Sequence, residues 1–382
     1  MKIIFIGQKG IPATTGGIEN HVDNLAVQLA EKGHDVQAYT RSNYTDKNLK
    51  KYKGVNLINL PSIPTKHLDA ISHTFLACLD LVGRKADIIH FHSIGPSSLL
   101  WLAKLIKPNT KIIATFHTQC YYHQKWGLFA RLYLKFGEYV CCRFADKVIA
   151  VSKTLKEYVW ERHKIDAFYI PNGVHPQKHC APKTIKRKWG LKKNSYIVLV
   201  SRLIRHKGIH HAIEAYKKIE TDKKLVIVGS GFHTDSYVDY LKKTAKNNKN
   251  IIFTGNQSGT ILRELFSNAY FFLQPSESEG LSIALLEAMS FGKAVLVSDI
   301  PENIEASAST GYSFKNKNIN DLTRKINYLL DRPLRVKEKG MKGKKRVEKF
   351  YNWNNITDEI IELYGEAIKE QGMEIAKGYQ KA

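Results

Sequence analysis

The sequence predicts an α/β protein made of two doubly wound parallel-sheet domains in series. Short runs rich in Ile and Val, apolar on both faces as buried parallel strands must be, alternate with amphipathic helical stretches. One polar segment near the middle interrupts that alternation, which then restarts. The 382 residues, 43% of them hydrophobic, suffice for two ordinary cores, and no low-complexity tract or long repeat suggests another architecture.

The first domain is assigned to residues 1–178. Its runs IIFIG (3–7), VQAYT (36–40), VNLINL (55–60), DIIHFH (87–92), KIIATFH (111–117), KVIAVS (147–152) and AFYIPNG (167–173) read as strands. Between them lie helices such as 18–31, whose Ile18, Val22, Leu25, Ala26 and Leu29 make one apolar stripe. Residues 175–195, with Pro176, Pro182 and the run KTIKRK, read as a linker. In the second domain, 179–353, strands are expected at SYIVLVS (195–201), KLVIVG (224–229), IIFTG (251–255), YFFLQPS (270–276) and AVLVSD (294–299). A closing helix from about Asn354 to 382 gathers Ile356, Ile360, Leu363, Tyr364 and Ala367 on one face, which suits packing back on the first domain. Ligands of open parallel sheets sit at the strands' carboxyl ends, so the loops after Gly7, Phe116, Ser201, Gly229, Ser276 and Ser298 are where a site belongs.

Five scattered cysteines (Cys78, Cys120, Cys141, Cys142 and Cys180) lack metal-ligand spacing and fit a reducing cytoplasm. MKIIFIG runs straight into a strand pattern without a signal-peptide core, and no apolar run is long enough to span a bilayer. A soluble, cytoplasmic protein is expected. Its net charge of +24 is spread over the chain, +11 in residues 1–180 (24 basic, 13 acidic) and +13 in the remainder (35 basic, 22 acidic). From Ile88 to Gly137, however, there is no Asp or Glu, while Lys104, Lys107, Lys111, Lys125, Arg131 and Lys135 are present. Within that stretch KWGLFARLYLKF mixes cations with bulky apolar residues. It reads either as a core helix with a solvated basic face or as a peripheral docking element for an anionic membrane surface.

The most informative segment is ESEGLSIALLEAM (277–289). Its second half is apolar all round, as in a helix buried on every side, with Ser282 as N-cap and Gly292 as stop. Glu287 is then a single carboxylate on a buried helix, which needs donors from a protein partner or from ligand hydroxyls. The turn Gly280-Leu281-Ser282 presents backbone amides at the positive end of the helix dipole, suited to a phosphate, and Glu279 precedes it. SRLIRHKG (201–208) follows a strand and supplies Arg202 and Lys207, a fork and a point charge for a diphosphate. Gly229 closes the strand KLVIVG. In the first domain, GQKGIPATTGGIEN places Gly16 and Gly17 before a helix that attracts anions. His117 ends a strand at the ligand edge, where a structural histidine and a reactive one are both reasonable. Neither loop supplies GxGxxG, which speaks against a dinucleotide cofactor. No D-x-D or acidic cluster suggests a metal, so Arg202, Lys207 and the helix end must balance a leaving diphosphate.

Together these residues resemble the retaining glycosyltransferase family 4 of the GT-B fold, whose two Rossmann-like domains face a cleft. The resemblance runs through GGIEN (16–20), ATFH (114–117), IPNGV (170–174), SRLIRHKG, VGSG (228–231) and the E-x7-E spacing from Glu279 to Glu287. The family usually shows Phe after the glycine of its E-G-F-G turn, where Leu281-Ser282 stands here. The resemblance implies a nucleotide sugar mainly on the second domain. Glu279 would then lie near the transferred sugar, Arg202 and Lys207 on the diphosphate, and Glu287 on the ribose. His117, Gly16 and Gly17 would meet the sugar and phosphate from the first domain, and Asn172 would line the hinge side. It further implies transfer with retention and without metal. No cofactor is called for, and a UDP- or dTDP-linked donor is favoured over a GDP- or ADP-linked one. The charge and the acid-free stretch suggest a lipid-linked glycan acceptor, in bacterial surface polysaccharide assembly on the inner face of the membrane.

Two other readings compete. A sugar-nucleotide epimerase or phosphorylase could share the fold, though no lysine has an evident pyridoxal-phosphate context and an epimerase needs no acceptor. A nucleic-acid binder would also explain the charge, but charge spread over both halves without a recognisable binding pattern argues against nucleic acid.

Overall fold

The computed structural model describes residues 1–122, 127–231 and 234–379. Lys125 and Trp126 of the basic aromatic stretch, and Phe232 and His233 of VGSGFH, lie outside them. The chain divides into two compact units: Met1–Asn172 together with the chain from Trp353 onward, and Gly173–Asn352.

The first unit holds β1 (Lys2–Ile6), β2 (Asp35–Arg41), β3 (Lys51–Tyr52), β4 (Val55–Leu60), β5 (Ile88–His92), β6 (Lys111–Phe116), β7 (Lys147–Ala150) and β8 (Phe168–Tyr169). They lie in the order β3-β4-β2-β1-β5-β6-β7-β8, parallel except for the edge pair β3–β4. The order reverses between β1 and β5, so the loops after these strands flank the topological switch point where ligands of doubly wound sheets bind. Helices α1 (Gly17–Glu31), α2 (Asp69–Asp80), α3 (Ile94–Ser97), α4 (Leu100–Ile106), α5 (Leu128–Phe144) and α6 (Lys153–His163) follow the strands. Side chains alternate between the sheet's two faces. Ile3, Phe5, Ile88 and Ile113 pack with α1 on one face, while Ile4, Ile6, Ile89 and Phe91 pack with α2, α4 and α5 on the other.

The second unit holds β9 (Tyr196–Val200), β10 (Lys224–Val228), β11 (Ile251–Gly255), β12 (Phe272–Gln274), β13 (Val295–Ser298) and β14 (Tyr312–Phe314), in the order β11-β10-β9-β12-β13-β14. The reversal here falls between β9 and β12, which carry SRLIRHKG and ESEGLS on the loops that follow them. Its helices are α7 (Thr184–Trp189), α8 (Ile209–Tyr216), α9 (Asp235–Ala245), α10 (Gly259–Asn268), α11 (Ile283–Ser290), α12 (Pro301–Ser307), α13 (Ile319–Leu330) and α14 (Pro333–Phe350).

The polar segment 175–195 is not a plain linker. Its middle is α7, whose Thr184 and Ile185 amides both donate to Glu264 Oε2 (2.8 and 3.0 Å), with Ile185 and Leu191 fully buried. The division falls before Gly173 rather than after 178 because Val174 N donates to Tyr351 O at 2.7 Å and the two crossing segments pair at Val174 and Asn352. The last helix, α15 (Trp353–Tyr379), returns to the first unit, where Trp353, Ile356, Ile360, Leu363, Tyr364 and Ala367 complete the core around α1. No helix among the described residues is long and apolar enough to cross a membrane.

Candidate active site

The ligand end of the second unit is built by three loops held against one another. After β9 the chain passes Arg202 and turns through Gly208, whose φ of +66° favours glycine and where a Cβ would come within 1.9 Å of Pro275 O. Gly229, at φ +138°, closes β10 so tightly on Ser201 that a Cβ would lie 1.8 Å from its carbonyl oxygen. Glu277 N donates to His206 O at 2.7 Å, fastening the loop after β12 to the loop after β9. Two glycines and one backbone bond thus fix where Arg202, Lys207 and Glu279 sit.

Lys207 Nζ donates to both carboxylate oxygens of Glu279, at 2.5 and 2.6 Å, with the two side chains only 15% and 8% exposed. Arg202 is exposed, and its guanidinium has no hydrogen-bond or ion-pair partner among the described residues. Gly280 and Leu281 are buried, and Ser282 caps α11 by accepting from Leu285 N at 3.3 Å. The other amides of that first turn have no partner within the helix. Ser282 in turn donates to Gln274 Oε1 at 2.7 Å, and Gln274 Nε2 donates to Asn303 Oδ1 at 2.6 Å. Asn303 Nδ2 donates to Ser298 Oγ at 3.0 Å, and that hydroxyl donates to Ser276 O. This chain of polar groups beneath the turn, four of them buried, sets the position of the cap.

Helix α11 is not buried on every side as its sequence suggests. Leu285, Leu286, Ala288 and Met289 are buried, but Ser282, Ile283, Ala284 and Glu287 form a half-exposed strip. Hydropathy does not distinguish a core face from a ligand wall. Glu287 sits in that strip, sufficiently withdrawn from water that its carboxyl is pushed up to about 7 by burial. That carboxylate has no hydrogen-bond or ion-pair partner among the described residues. Glu277, given no role by the sequence reading, is structural. His211 Nε2 lies 3.1 Å from it and Lys317 Nζ 3.3 Å, and these contacts, His211 foremost, hold its carboxyl below the usual range.

In the first unit, Gly16 at φ +102° is the N-cap of α1, and the carboxylate of Glu19 folds back over it, 1.9 Å from where a Cβ would be. That carboxylate fills part of the place the sequence offers to an anion. Gly17 beside it has open space. His117 is no lone histidine. The strand alternation turns His90 and His92 of β5 toward α1, where His92 Nδ1 meets His117 Nε2 at 3.1 Å and the His21 ring stands edge-on to His117 at 4.9 Å. His90 is held by Tyr364 Oη (2.6 Å) and Thr115 Oγ1 (2.7 Å). Burial, reinforced by the neighbouring rings, holds His117 well below the ordinary histidine range, so it is a neutral imidazole at pH 7. Burial also takes His21 down to about 4. The alternating His-Phe-His of a strand otherwise wholly apolar was the signal for this cluster. Two groups among the described residues, His21/His92/His117 and His210/His211/Glu277, have ligand atoms within 4.8 Å of one another, as a divalent ion would require.

Two doubly wound parallel sheets in series, each with its ligand loops at the switch point, are the architecture of the GT-B fold. A sucrose-phosphate synthase from Thermosynechococcus elongatus has the same fold, with a TM-score of 0.81 and 22% identity over 97% of this chain and 99% of that one. HepE of Anabaena, solved with UDP-glucose, superposes with a TM-score of 0.80 at 17% identity over 96% and 100%. Residues 15–178 match the model of Glycosyltransferase Family 4, and 182–350 that of Glycosyl transferases group 1. An uncharacterized glycosyltransferase of Methanocaldococcus jannaschii is 26% identical over 97% of this chain and 100% of its own. The alpha-monoglucosyldiacylglycerol synthase of Streptococcus pneumoniae is 27% identical over 75% and 68%. An N,N'-diacetylbacillosaminyl-diphospho-undecaprenol alpha-1,3-N-acetylgalactosaminyltransferase of Campylobacter jejuni is 30% identical over 46% of each chain. The chain belongs to the family 4-like glycosyltransferases and is a sugar transferase.

Proposed function

We propose that the protein moves a sugar, with retention of configuration and without metal, from a UDP- or dTDP-linked donor to a hydroxyl of a lipid-linked glycan in bacterial surface polysaccharide assembly. The observation that carries the donor site is Glu287: a withdrawn carboxylate without a partner among the described residues, one helix turn beyond an anion-binding amide turn, fits the hydroxyls of a ribose. Arg202, Lys207 and the first turn of α11 then face the diphosphate, and Glu279 the sugar. Asn172 lines the hinge side, and the neutral imidazole of His117 can hold a sugar hydroxyl but is not charged to act as an acid at pH 7.

Both oxygens of Glu279 are taken by Lys207. A carboxylate so neutralised is a poor nucleophile, which speaks against a covalent glycosyl-enzyme. The acceptor oxygen instead approaches the anomeric carbon on the face from which the diphosphate departs. The bond from carbon to the diphosphate oxygen breaks as the new glycosidic bond forms, and the acceptor's proton passes to that leaving oxygen. Lys207, Arg202 and the helix end take up the charge that develops on the diphosphate.

The lipid-linked acceptor is supported by the names of the pneumococcal and Campylobacter relatives, one a diacylglycerol and the other an undecaprenol-linked substrate. The uridine donor is supported by the UDP-glucose complex of HepE. NMR of the product's anomeric proton tests the mechanism. An α-linked donor should give an α-linked product, and a β-linked product would overturn the front-face reading.

A further inference from the structure

We infer that the outer surface of the α2–α4–α5 layer is a docking face for an anionic phospholipid membrane. This goes beyond the functional reading above and stands on observations of its own. A helix on a folded surface normally turns its apolar stripe inward. In α5 the buried side carries Leu134, Val140 and Cys141, yet a second apolar stripe, Phe129, Leu132, Phe136 and Tyr139, follows helical spacing on the exposed side. Phe129 is 88% exposed, Leu132 54% and Phe136 49%. The neighbouring helices of the same layer repeat the pattern, with Trp101 and Leu105 on α4 and Phe75 and Leu79 on α2 all exposed. Exposed apolar side chains repeated on three helices that pack in one layer mark an interaction site.

Charge identifies the occupant. Arg131, Lys135 and Arg143 are exposed on α5 beside the apolar stripe, and none has an ion-pair partner among the described residues. The carboxylates of this part of the unit are already engaged. Glu138 is buried and accepts from Tyr158 Oη (2.7 Å) with His163 Nε2 at 2.9 Å. Asp80 is held by Arg84 (2.5 Å), Asp69 by Arg41 (2.6 Å) and Asp146 by Lys104 (2.8 Å). The face is therefore apolar and cationic with no free acid among the described residues. A two-fold contact with a second copy would set this surface against itself, cation opposite cation. A bilayer of anionic lipid complements both features: its headgroups meet the cations, and the aromatic and aliphatic side chains enter the headgroup boundary.

Vesicle co-sedimentation tests the proposal on the full chain. Vesicles of phosphatidylcholine with phosphatidylglycerol should carry the protein down, and pure phosphatidylcholine should not. Binding should weaken with added salt. The variant R131E/K135E/R143E and the variant F129S/L132S/F136S should each lower partition by at least about tenfold. Nucleotide-induced thermal shifts should be unchanged in both, which shows that the fold and donor site are intact and reports on the donor reading separately. Partition that survives both variants would overturn the inference. So would a wild-type dimer in sedimentation velocity that the triple-serine variant converts to monomer, since the face would then join copies of the chain.

Discussion

Glu287→Gln is expected to make the ligand-free protein more stable at pH 8 and to remove most of its affinity for nucleotide. The two effects share one cause. Burial raises the Glu287 carboxyl to about 7 in the folded state from an ordinary value of 4.5, so between these values the folded protein holds a proton that the unfolded chain has lost. Stability associated with this group is therefore full below the unfolded value, falls as pH rises through the window, and is lost above about 7. The cost of the ionised, unpartnered carboxylate is roughly 2–3 kcal/mol, allowing for its partial exposure. Glutamine removes that cost, and denaturant unfolding at pH 5 and pH 8 should show a gain only at the higher pH. The bound nucleotide supplies the hydroxyl donors the carboxylate lacks, so wild-type affinity should rise as pH passes 7. The amide accepts more weakly, and the loss of charge-assisted bonds of about 1.5–3 kcal/mol should lower UDP affinity tenfold to a hundredfold. Unchanged affinity in calorimetric titration would place the ribose elsewhere.

Removing Lys207 should be the most damaging single change in the donor loops. Its ammonium is the partner of both oxygens of a carboxylate only 8% exposed. Lys207→Met would leave Glu279 buried with no compensating charge, at about 3–5 kcal/mol. Glu279→Gln leaves the lysine in the same position with a neutral acceptor, at a smaller cost. The double variant loses both charges together and should recover most of the stability, giving a coupling of about 2 kcal/mol or more in a double-mutant cycle. Transfer activity should stay low in all three, because the diphosphate loses its point charge or the sugar loses its facing carboxylate. Additive stabilities would mean that the pair is not coupled. Recovery of turnover in the double variant would remove both residues from the chemistry.

The strands were legible because a buried parallel strand is apolar on both faces, as IIFIG and KLVIVG are. The edge strands Lys51–Tyr52 and Tyr312–Phe314 were not, being too short to show a period. In the site, Ser282 and its helix were readable from local capping chemistry, and Glu287 from the cost of an isolated carboxylate. The bond between Lys207 and Glu279 joins residues 72 apart in sequence, and the chain Ser282–Gln274–Asn303–Ser298 joins two strand ends and a helix. Such long-range pairings leave no periodic trace. The apolar strip on α11 and the apolar stripe on α5 were read as burial or left open for one reason: hydropathy gives a surface that meets a ligand or a lipid the same signature as a core.

The most direct test of the donor site is a thermal-shift panel with UDP, dTDP, GDP and ADP in EDTA, on the wild type and Glu287→Ala. A nucleotide at a hundredfold above its dissociation constant adds about 2.7 kcal/mol. UDP or dTDP should stabilise the wild type without metal and fail to stabilise the variant. Equal shifts in both proteins, or none with any nucleotide, would contradict it.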